Sequence, residues 1–333
     1  MNEFELIARY FAPLAAGTPG ALGLTDDAAV LKVAGGCGLV VTTDTLVSGV
    51  HFLPDDPPET IAAKLLGVNL SDLAAMGARP LAYTMSMALP TAQRDDERCR
   101  WLDGFVRGLS ARQAEAELYL IGGDTVATPG PLCLTITALG TVVPGTELRR
   151  SGARAGDAIY VSGTIGDATL GLRALAGTLP PLSEALRATL ITRYRVPEPR
   201  LALGQRLVGV AHAAADVSDG LVADLGHICD ASGLSATLWV TRTPLSAAAA
   251  EAVRAEPELL RSVLTGGDDY ELVFTASADA APSIAAIAGE LGVRLTEIGR
   301  MDPAPAADRT ARVRIVDPGG APVDLGPGGF RHF

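Results

Sequence analysis

Lysine is nearly absent from this sequence. Of its 27 basic residues only Lys32 and Lys64 are lysines, set against 38 acidic residues and a formal net charge of −11. Binding to a nucleic-acid backbone requires Lys and Arg to displace counterions, so the balance excludes a general nucleic-acid binder. Neither lysine closes a Gly-rich loop of the G-x-x-x-x-G-K-[ST] type, and the protein-kinase signature set and a G-x-S-x-G elbow are also missing. Cys37, Cys99, Cys133 and Cys229 are scattered without a C-x-x-C pair, which excludes a zinc clip or a dithiol motif and leaves reduced thiols as the default. Aromatic residues make up 5% of the chain, and no run approaches the roughly eighteen apolar residues of a membrane-spanning helix. Residues Met1 to Pro13 lack the basic start and apolar middle of a signal peptide; they read as an amphipathic helix with Phe4, Ile7 and Phe11 on one side, and a cytoplasmic location is expected.

What is present is an interleaving of strand and helix patterns over 333 residues, a length that favours two domains. Runs of β-branched or alternating residues predict strands over Gly38–Asp44, Ala82–Leu89, Leu132–Val143, Ala158–Ser162, Ala236–Val240 and Glu271–Thr275. Longer periodic stretches predict helices over Pro58–Met76, Asp95–Ala116, Gly166–Ala176, Ser183–Tyr194, Arg200–Val210, Leu221–Ala231, Ser246–Ala255 and Ser283–Leu291. The class is mixed α/β. Small and turn-forming residues over Ser151–Asp157 place a boundary there, giving domains 1–150 and 151–333. Asp302–Arg309 reads as a Pro/Ala-rich connector.

Aspartates recur in short motifs flanked by glycine or hydroxyl residues: Gly23-Leu24-Thr25-Asp26-Asp27, Thr42-Thr43-Asp44-Thr45, Asn69-Leu70-Ser71-Asp72, Gly122-Gly123-Asp124-Thr125 and Asp216-Val217-Ser218-Asp219-Gly220. Two carboxylates about 4 Å apart repel by roughly 1 kcal/mol in water and roughly 4 kcal/mol at an effective dielectric of 20. If these motifs converge, a cation must hold them together. Hard divalent ions with oxygen ligands fit the residue types, and Mg²⁺ in turn implies phosphate.

Each motif also has an ordinary reading. Asp44 stands at the end of its predicted strand, with Thr42 on the same face; it is equally a metal ligand or the first residue of a turn. Asp72 is sharper, because Ile61, Leu65, Val68 and Asp72 fall on one helix face that is apolar until the carboxylate. A bare buried carboxylate costs several kcal/mol, so it requires a partner. Gly122-Gly123-Asp124 reads as a strand end whose glycines admit a bulky ligand, or as a plain turn, and Gly266-Gly267-Asp268-Asp269-Tyr270-Glu271 repeats the design. Asp219 or Ser218 is a candidate N-cap, with Asp224 one turn further on. His51 lies seven residues past Asp44 and is raised by that proximity above a packed or surface role, which His212, His227 and His332 keep. Gly163-Thr164-Ile165-Gly166-Asp167 precedes a helix but lacks G-x-G-x-x-G spacing and carries little weight.

In order and spacing these motifs resemble the thiamine-monophosphate kinases, a family of the aminoimidazole-ribonucleotide-synthetase-like superfamily. The most specific stretches are Val68-Asn69-Leu70-Ser71-Asp72-Leu73-Ala74-Ala75-Met76-Gly77-Ala78 and Thr43-Asp44-Thr45-Leu46-Val47-Ser48-Gly49-Val50-His51-Phe52, and the likeness runs from Glu3-Phe4 to the final Gly329-Phe330-Arg331-His332-Phe333. The resemblance implies a two-domain fold, with an N-terminal sheet that joins a second copy in a dimer barrel and a C-terminal α/β domain that completes the active site. It implies ATP-dependent phosphorylation of thiamine monophosphate to thiamine diphosphate by direct in-line transfer, several Mg²⁺ ions and a homodimer. Carried over by position, Asp27, Thr42, Thr43, Asp44, Asp72, Asp124, Asp216 and Asp219 are Mg²⁺ ligands. Gly123, Asp124, Arg150 and Ser218 touch ATP, and His51, Asp268 and Phe330 face thiamine phosphate. Asp44, Asp72, Asp124 and Arg150 carry the catalysis. The sequence departs from the family at Asp268, where Glu is usual, and does not separate Asp26 from Asp27. The rivals are another ATP-using enzyme of the superfamily and a non-catalytic protein that binds a divalent metal. The selenide and maturation members of the superfamily are disfavoured, because no Cys precedes Cys37 and the chain ends in Phe333.

Overall fold

The computed structural model describes residues 3–16, 33–304 and 312–323. Asp26, Asp27, Phe330 and most of the Asp302–Arg309 connector lie outside the described residues, as do the side chains of Phe4 and Ile7. The chain divides into two compact units, one of Met1–Leu73 with Ala78–Gly145 and one of Ala74–Gly77 with Thr146–Phe333. Among the described residues, no helix is long and apolar enough to cross a membrane. All four cysteines are free thiols.

The first unit holds a four-stranded sheet in the order β1-β4-β2-β3, formed by β1 (Gly38–Val47), β2 (Arg79–Pro90), β3 (Tyr119–Thr128) and β4 (Cys133–Val142). β4 pairs antiparallel with both β1 and β2, and β2 pairs parallel with β3. One face is covered. Leu46, Met85, Met87, Leu134 and Ile136 are buried there. Above them α2 (Pro58–Ala75) begins with Pro58, whose missing N–H costs a helix nothing at its first position. α3 (Asp95–Glu115) begins with Asp95, Asp96 and Glu97, which complement the positive end of the helix dipole. The N-terminal segment starts as α1 (Glu3–Leu6) and continues in wider and then tighter turns to Ala15, a break in the single helix expected to Pro13. Phe11 is buried as that reading requires, together with Leu6, Tyr10 and Leu14. A buried polar chain ties the segment down: Tyr83 Oη donates to Gln113 Oε1 at 3.1 Å, and Gln113 Nε2 donates to the Leu14 carbonyl at 3.1 Å. The opposite face of the sheet leaves Leu39, Val41, Tyr119 and Val126 exposed.

The second unit contains a six-stranded sheet. It is built of β5 (Ala158–Ser162), β6 (Ala213–Asp216), β7 (Leu234–Trp239), β8 (Leu272–Ala276), β9 (Leu295–Pro303) and β10 (Val313–Val316), in the order β10-β7-β9-β5-β8-β6. Both faces are covered, so its central strands are apolar without alternation, and every residue of β8 is buried. Ile159, Val161 and Val273 face a core with α4 (Asp167–Leu175), α5 (Glu184–Arg195), α7 (Leu221–Ser232), α8 (Ala247–Ala255) and α9 (Leu259–Thr265). Tyr160, Leu272 and Phe274 face a second core with α6 (Leu201–Leu207) and α10 (Ala281–Leu291).

Candidate functional site

In the first unit, α2 lies over the covered face of β1 and brings two distant motifs together. Thr42 Oγ1 donates to Asp72 Oδ2 at 2.5 Å. Asp44 follows Thr42 by two residues and is half-buried on the same face. It does not end its strand: β1 continues to Val47, and Asp44 pairs with Ile136 inside the ladder. α2 is buried on almost every side, so Asp72 is one of the few positions along it that remain half-open. One turn earlier, Asn69 is fully buried; its Nδ2 donates to the Leu65 carbonyl at 3.0 Å, and its Oδ1 has no hydrogen-bond partner among the described residues. An orphaned buried acceptor costs about 1–3 kcal/mol. The donors gathered here are hydroxyl, carboxylate and amide oxygens, the set that suits Mg²⁺.

His51 is held by its backbone neighbours. Its Nδ1 accepts the Val47 N–H at 3.0 Å, its own N–H donates to the Val47 carbonyl at 3.0 Å, and the buried Lys64 Nζ donates to the His51 carbonyl at 2.9 Å. With Nδ1 accepting, the neutral ring carries its proton on Nε2, a fixed donor for an anionic or carbonyl group.

The expected ligand set is nevertheless divided. Thr43 lies on the opposite face of β1, where its hydroxyl donates to the Ile136 carbonyl at 3.0 Å and accepts from Thr137 Oγ1 at 3.1 Å. Asp124 is exposed and pairs in register with Ser86, which pairs with Thr135 and through it with Thr45. That row belongs to the uncovered face, whereas Asp44 shares the covered row with Ile136, Met85 and Gly123. Asp44 and Asp124 therefore sit on opposite faces and on the two edge strands, roughly 14 Å apart at the usual strand spacing. Gly122-Gly123 is not a strand end either, since β3 runs through it to Thr128. A Cβ on Gly123 would collide with the Met85 carbonyl, so sheet packing alone demands glycine there.

In the second unit, the motif after β6 and the motif before β8 are stitched together. Asp268 N–H donates to the Ser218 carbonyl at 2.9 Å, Tyr270 N–H to the Val217 carbonyl at 2.8 Å, and Val217 N–H to the Glu271 carbonyl at 2.8 Å. Gly267 is needed for this approach, because a Cβ would meet the Ser218 carbonyl. Asp268 and Tyr270 both adopt left-handed backbone, with φ of 73° and 52°, and Tyr270 Oη donates to Asp268 Oδ1 at 3.1 Å. Such conformations persist where the surroundings over-determine them, and they gather at ligand sites.

The capping expected of Ser218 or Asp219 is absent: Gly220 precedes α7 without a side-chain cap. Asp224 reaches back instead, and its Oδ2 accepts the N–H groups of Ser218, Asp219 and Gly220 at 3.0, 3.0 and 3.1 Å. Burial, and then the Asp216 charge, push the Asp224 carboxyl up to about 7, against the Asp219 N–H and the charge of Arg150. Asp216, Ser218, Asp219, Asp268 and Arg150 thus belong to one neighbourhood. Asp219, Asp224 and His227 also place a donor atom each within 4.8 Å of the others. From sequence alone His227 has no role and Asp224 only a place in the first turn; the available signal is an acid five residues past Asp219. The start of α4 is filled by the protein itself. Asp269 is fully buried and accepts from Gly166 N–H at 2.7 Å and Ala168 N–H at 3.3 Å, and burial holds its carboxyl well above the usual range.

Fold and site define an enzyme scaffold of the AIR synthase related class: the model of its N-terminal domain matches residues 25–142 and that of its C-terminal domain residues 154–310. A thiamine-monophosphate kinase of Salmonella typhimurium is 42% identical over 333 residues, covering 100% of this chain and 98% of that protein. The crystal structure of thiamine-monophosphate kinase from Stenotrophomonas maltophilia superposes with a TM-score of 0.83 at 42% identity, over 95% of this chain and 96% of that one. A structure of AaThiL complexed with AMPPCP and TMP superposes with a TM-score of 0.77 at 27% identity, over 100% and 99% of the two chains. The chain belongs to the thiamine-monophosphate kinase family.

Proposed function

We propose that this protein transfers the γ-phosphoryl group of ATP to thiamine monophosphate, giving thiamine diphosphate and ADP. The observation that carries the reading is the likeness to the Salmonella kinase along the whole length of both chains. The AaThiL complex supports the pair of substrates, AMPPCP being an ATP analogue with an unreactive bridge. The acceptor is itself a phosphate, ionised at neutral pH, so no general base is needed. The obstacle is repulsion between two anions, and a bound Mg²⁺ would supply the neutralising charge. Thr42, Asp44 and Asp72 would hold one such ion in the first unit, and Asp216 and Asp219 would hold another in the second. In the second unit Arg150 adds positive charge beside Asp224 and Tyr270 holds the Asp268 carboxylate; in the first unit the His51 Nε2–H is a donor suited to a phosphate oxygen. Asp27, which precedes the described residues of β1, completes the metal set by position, and Phe330 stacks on a heteroaromatic ring of thiamine phosphate.

The working unit in this reading is a cytoplasmic homodimer. Leu39 and Val41 on one edge strand, and Tyr119 and Val126 on the other, leave apolar surface on the uncovered face of the sheet. Joining the β1 edge of one copy to the β3 edge of the other covers that surface. It also turns the three-strand separation of Asp44 from Asp124 into a neighbouring-strand relation with the partner subunit. Thr43 and Asp124 lie on the joined face and Gly123 on the face of Asp44; their ATP and metal roles rest on the family resemblance.

The test is ADP release with thiamine monophosphate, thiamine and aminoimidazole precursors offered side by side in the presence of Mg²⁺. Turnover is expected with thiamine monophosphate alone; turnover with a purine precursor, or metal binding without turnover, refutes the assignment. Phe330→Ala is expected to raise the KM for thiamine monophosphate about tenfold, the loss of one good ring contact, and to leave the KM for ATP unchanged. Equal effects on the two constants would remove the stacking role.

A further inference from the structure

Asp224 is a charged residue at 1% exposure whose task the reaction does not explain. It stands one turn into α7, and a single oxygen, Oδ2, takes three successive N–H groups, those of Ser218, Asp219 and Gly220. Three donors on one acceptor fix the peptide planes of the whole turn between β6 and α7. The anchor is electrostatically awkward, because Asp216 and Asp219 both oppose its charge. A neutral residue of the same shape would avoid that repulsion. A full carboxylate charge is what holds several N–H donors strongly at once. The turn is also fixed from its other side, where the Ser218 carbonyl accepts from Asp268 N–H.

We propose that Asp224 is a positioning residue that sets the Ser218–Asp219 turn to receive a magnesium-complexed nucleoside triphosphate. The inference rests on the kinase reading of the same site. Asp224 acts through the backbone: it consumes the N–H groups of the turn, so the nucleotide and its metal meet the Ser218 hydroxyl and the Asp219 carboxylate, held at a set height and direction.

The experiment compares Asp224→Ala and Asp224→Asn with the wild-type protein, measuring Mg²⁺-dependent binding of AMPPCP by calorimetry and both KM values. Asp224→Ala is expected to weaken AMPPCP binding and to raise the Mg²⁺ requirement at least about tenfold, the scale of a small misplacement, with the KM for thiamine monophosphate unchanged. Asp224→Asn keeps an acceptor oxygen in the same place but not its charge, and is expected to recover part of the loss. Alanine equal to wild type overturns the proposal, as does an equal loss toward both substrates. Asparagine as poor as alanine makes Asp224 a direct metal ligand and overturns it too. Wild-type hydrogen exchange tests the anchor without a variant: the amides of Ser218, Asp219 and Gly220 are expected to exchange slowly in the absence of nucleotide, and fast exchange refutes the anchor even where the alanine protein does not fold. Failure of the wild-type protein to bind AMPPCP counts against the kinase reading, whereas normal wild-type binding matched by Asp224→Ala counts against Asp224 alone.

Discussion

Asp44→Asn is expected to lower ADP release with thiamine monophosphate about a hundredfold or more, the usual scale for losing one electrostatic contact to the transition state. The thermal unfolding transition should stay in place. Asp44 is half-buried beside the Thr42–Asp72 pair, and removing its charge relieves repulsion in the metal-free protein while leaving the ladder bonds of β1 untouched. Unchanged activity at unchanged Mg²⁺ demand would exclude Asp44 as a ligand. Asp124→Asn should be similarly impaired, and the two defects should complement. The two residues occupy opposite edge strands of one sheet, so a productive site in the proposed dimer takes Asp44 from one copy and Asp124 from the other. Mixing the two inactive proteins through an unfolding and refolding cycle then creates one intact site in each mixed dimer. With random pairing, the recovered activity should approach about a quarter of wild type. A mixture as inactive as its parents would mean that the two aspartates do not act in trans.

That arrangement was only partly legible in the sequence. The strands with β-branched runs, β1, β2, β4, β5, β7 and β8, stand close to where their residues predict them, as do the long helices α2 and α3. β6 escaped because Ala213-Ala214-Ala215 carries no β signal; its position comes from antiparallel pairing with β8. β3 was cut short at Gly122-Gly123, where glycine marks close strand contact rather than a turn. β9, β10 and α9 were not foreseen, and β9 lies between β7 and β5, strands far from it in sequence. The aspartate motifs themselves were visible from their flanking glycines and hydroxyls. Alternation also placed Thr42 and Asp44 on one face of β1 and Thr43 on the other, but the face of Asp124 was not legible, because the register between β2 and β3 shifts by one residue after Tyr83, and such a shift reverses every later side chain. The role of Asp224 was hidden for a related reason: a hydrogen bond that runs backward from a helix to the turn before it leaves no mark in apolar periodicity.

The largest effect on stability is expected at Glu271, outside the reacting groups. Its side chain is fully buried and satisfies three partners: Arg193 Nη2 at 2.8 Å, Arg200 through Nε at 2.6 Å and Nη2 at 2.5 Å, and Ser162 Oγ at 2.6 Å. Ser162 Oγ in turn accepts the Leu272 N–H at 2.9 Å, so the cluster fixes the start of β8 directly after the strained Asp268–Tyr270 segment. Building such a cluster gains little, since desolvating the charges offsets their attraction, but breaking it is costly. Glu271→Ala leaves two guanidinium groups with little water and only the exposed Glu198 carboxylate, 3.3 Å from each, as counterion, and is expected to destabilise the second unit by about 3 kcal/mol. For a unit of this size that corresponds to a fall in Tm of roughly 10 °C. Glu271→Gln keeps the shape and one acceptor oxygen but not the charge, and should fall between alanine and wild type. Arg193→Ala and Arg200→Ala should each cost less than Glu271→Ala, because each leaves one opposite charge in place. Combining Glu271→Ala with Arg200→Ala should be less damaging than the sum of the two, since the second change removes a charge that the first had stranded. Thermal unfolding of the five proteins checks the series. Additive losses would mean that the cluster acts through packing alone, and a glutamate-to-alanine change that leaves Tm in place would mean that water reaches the arginines.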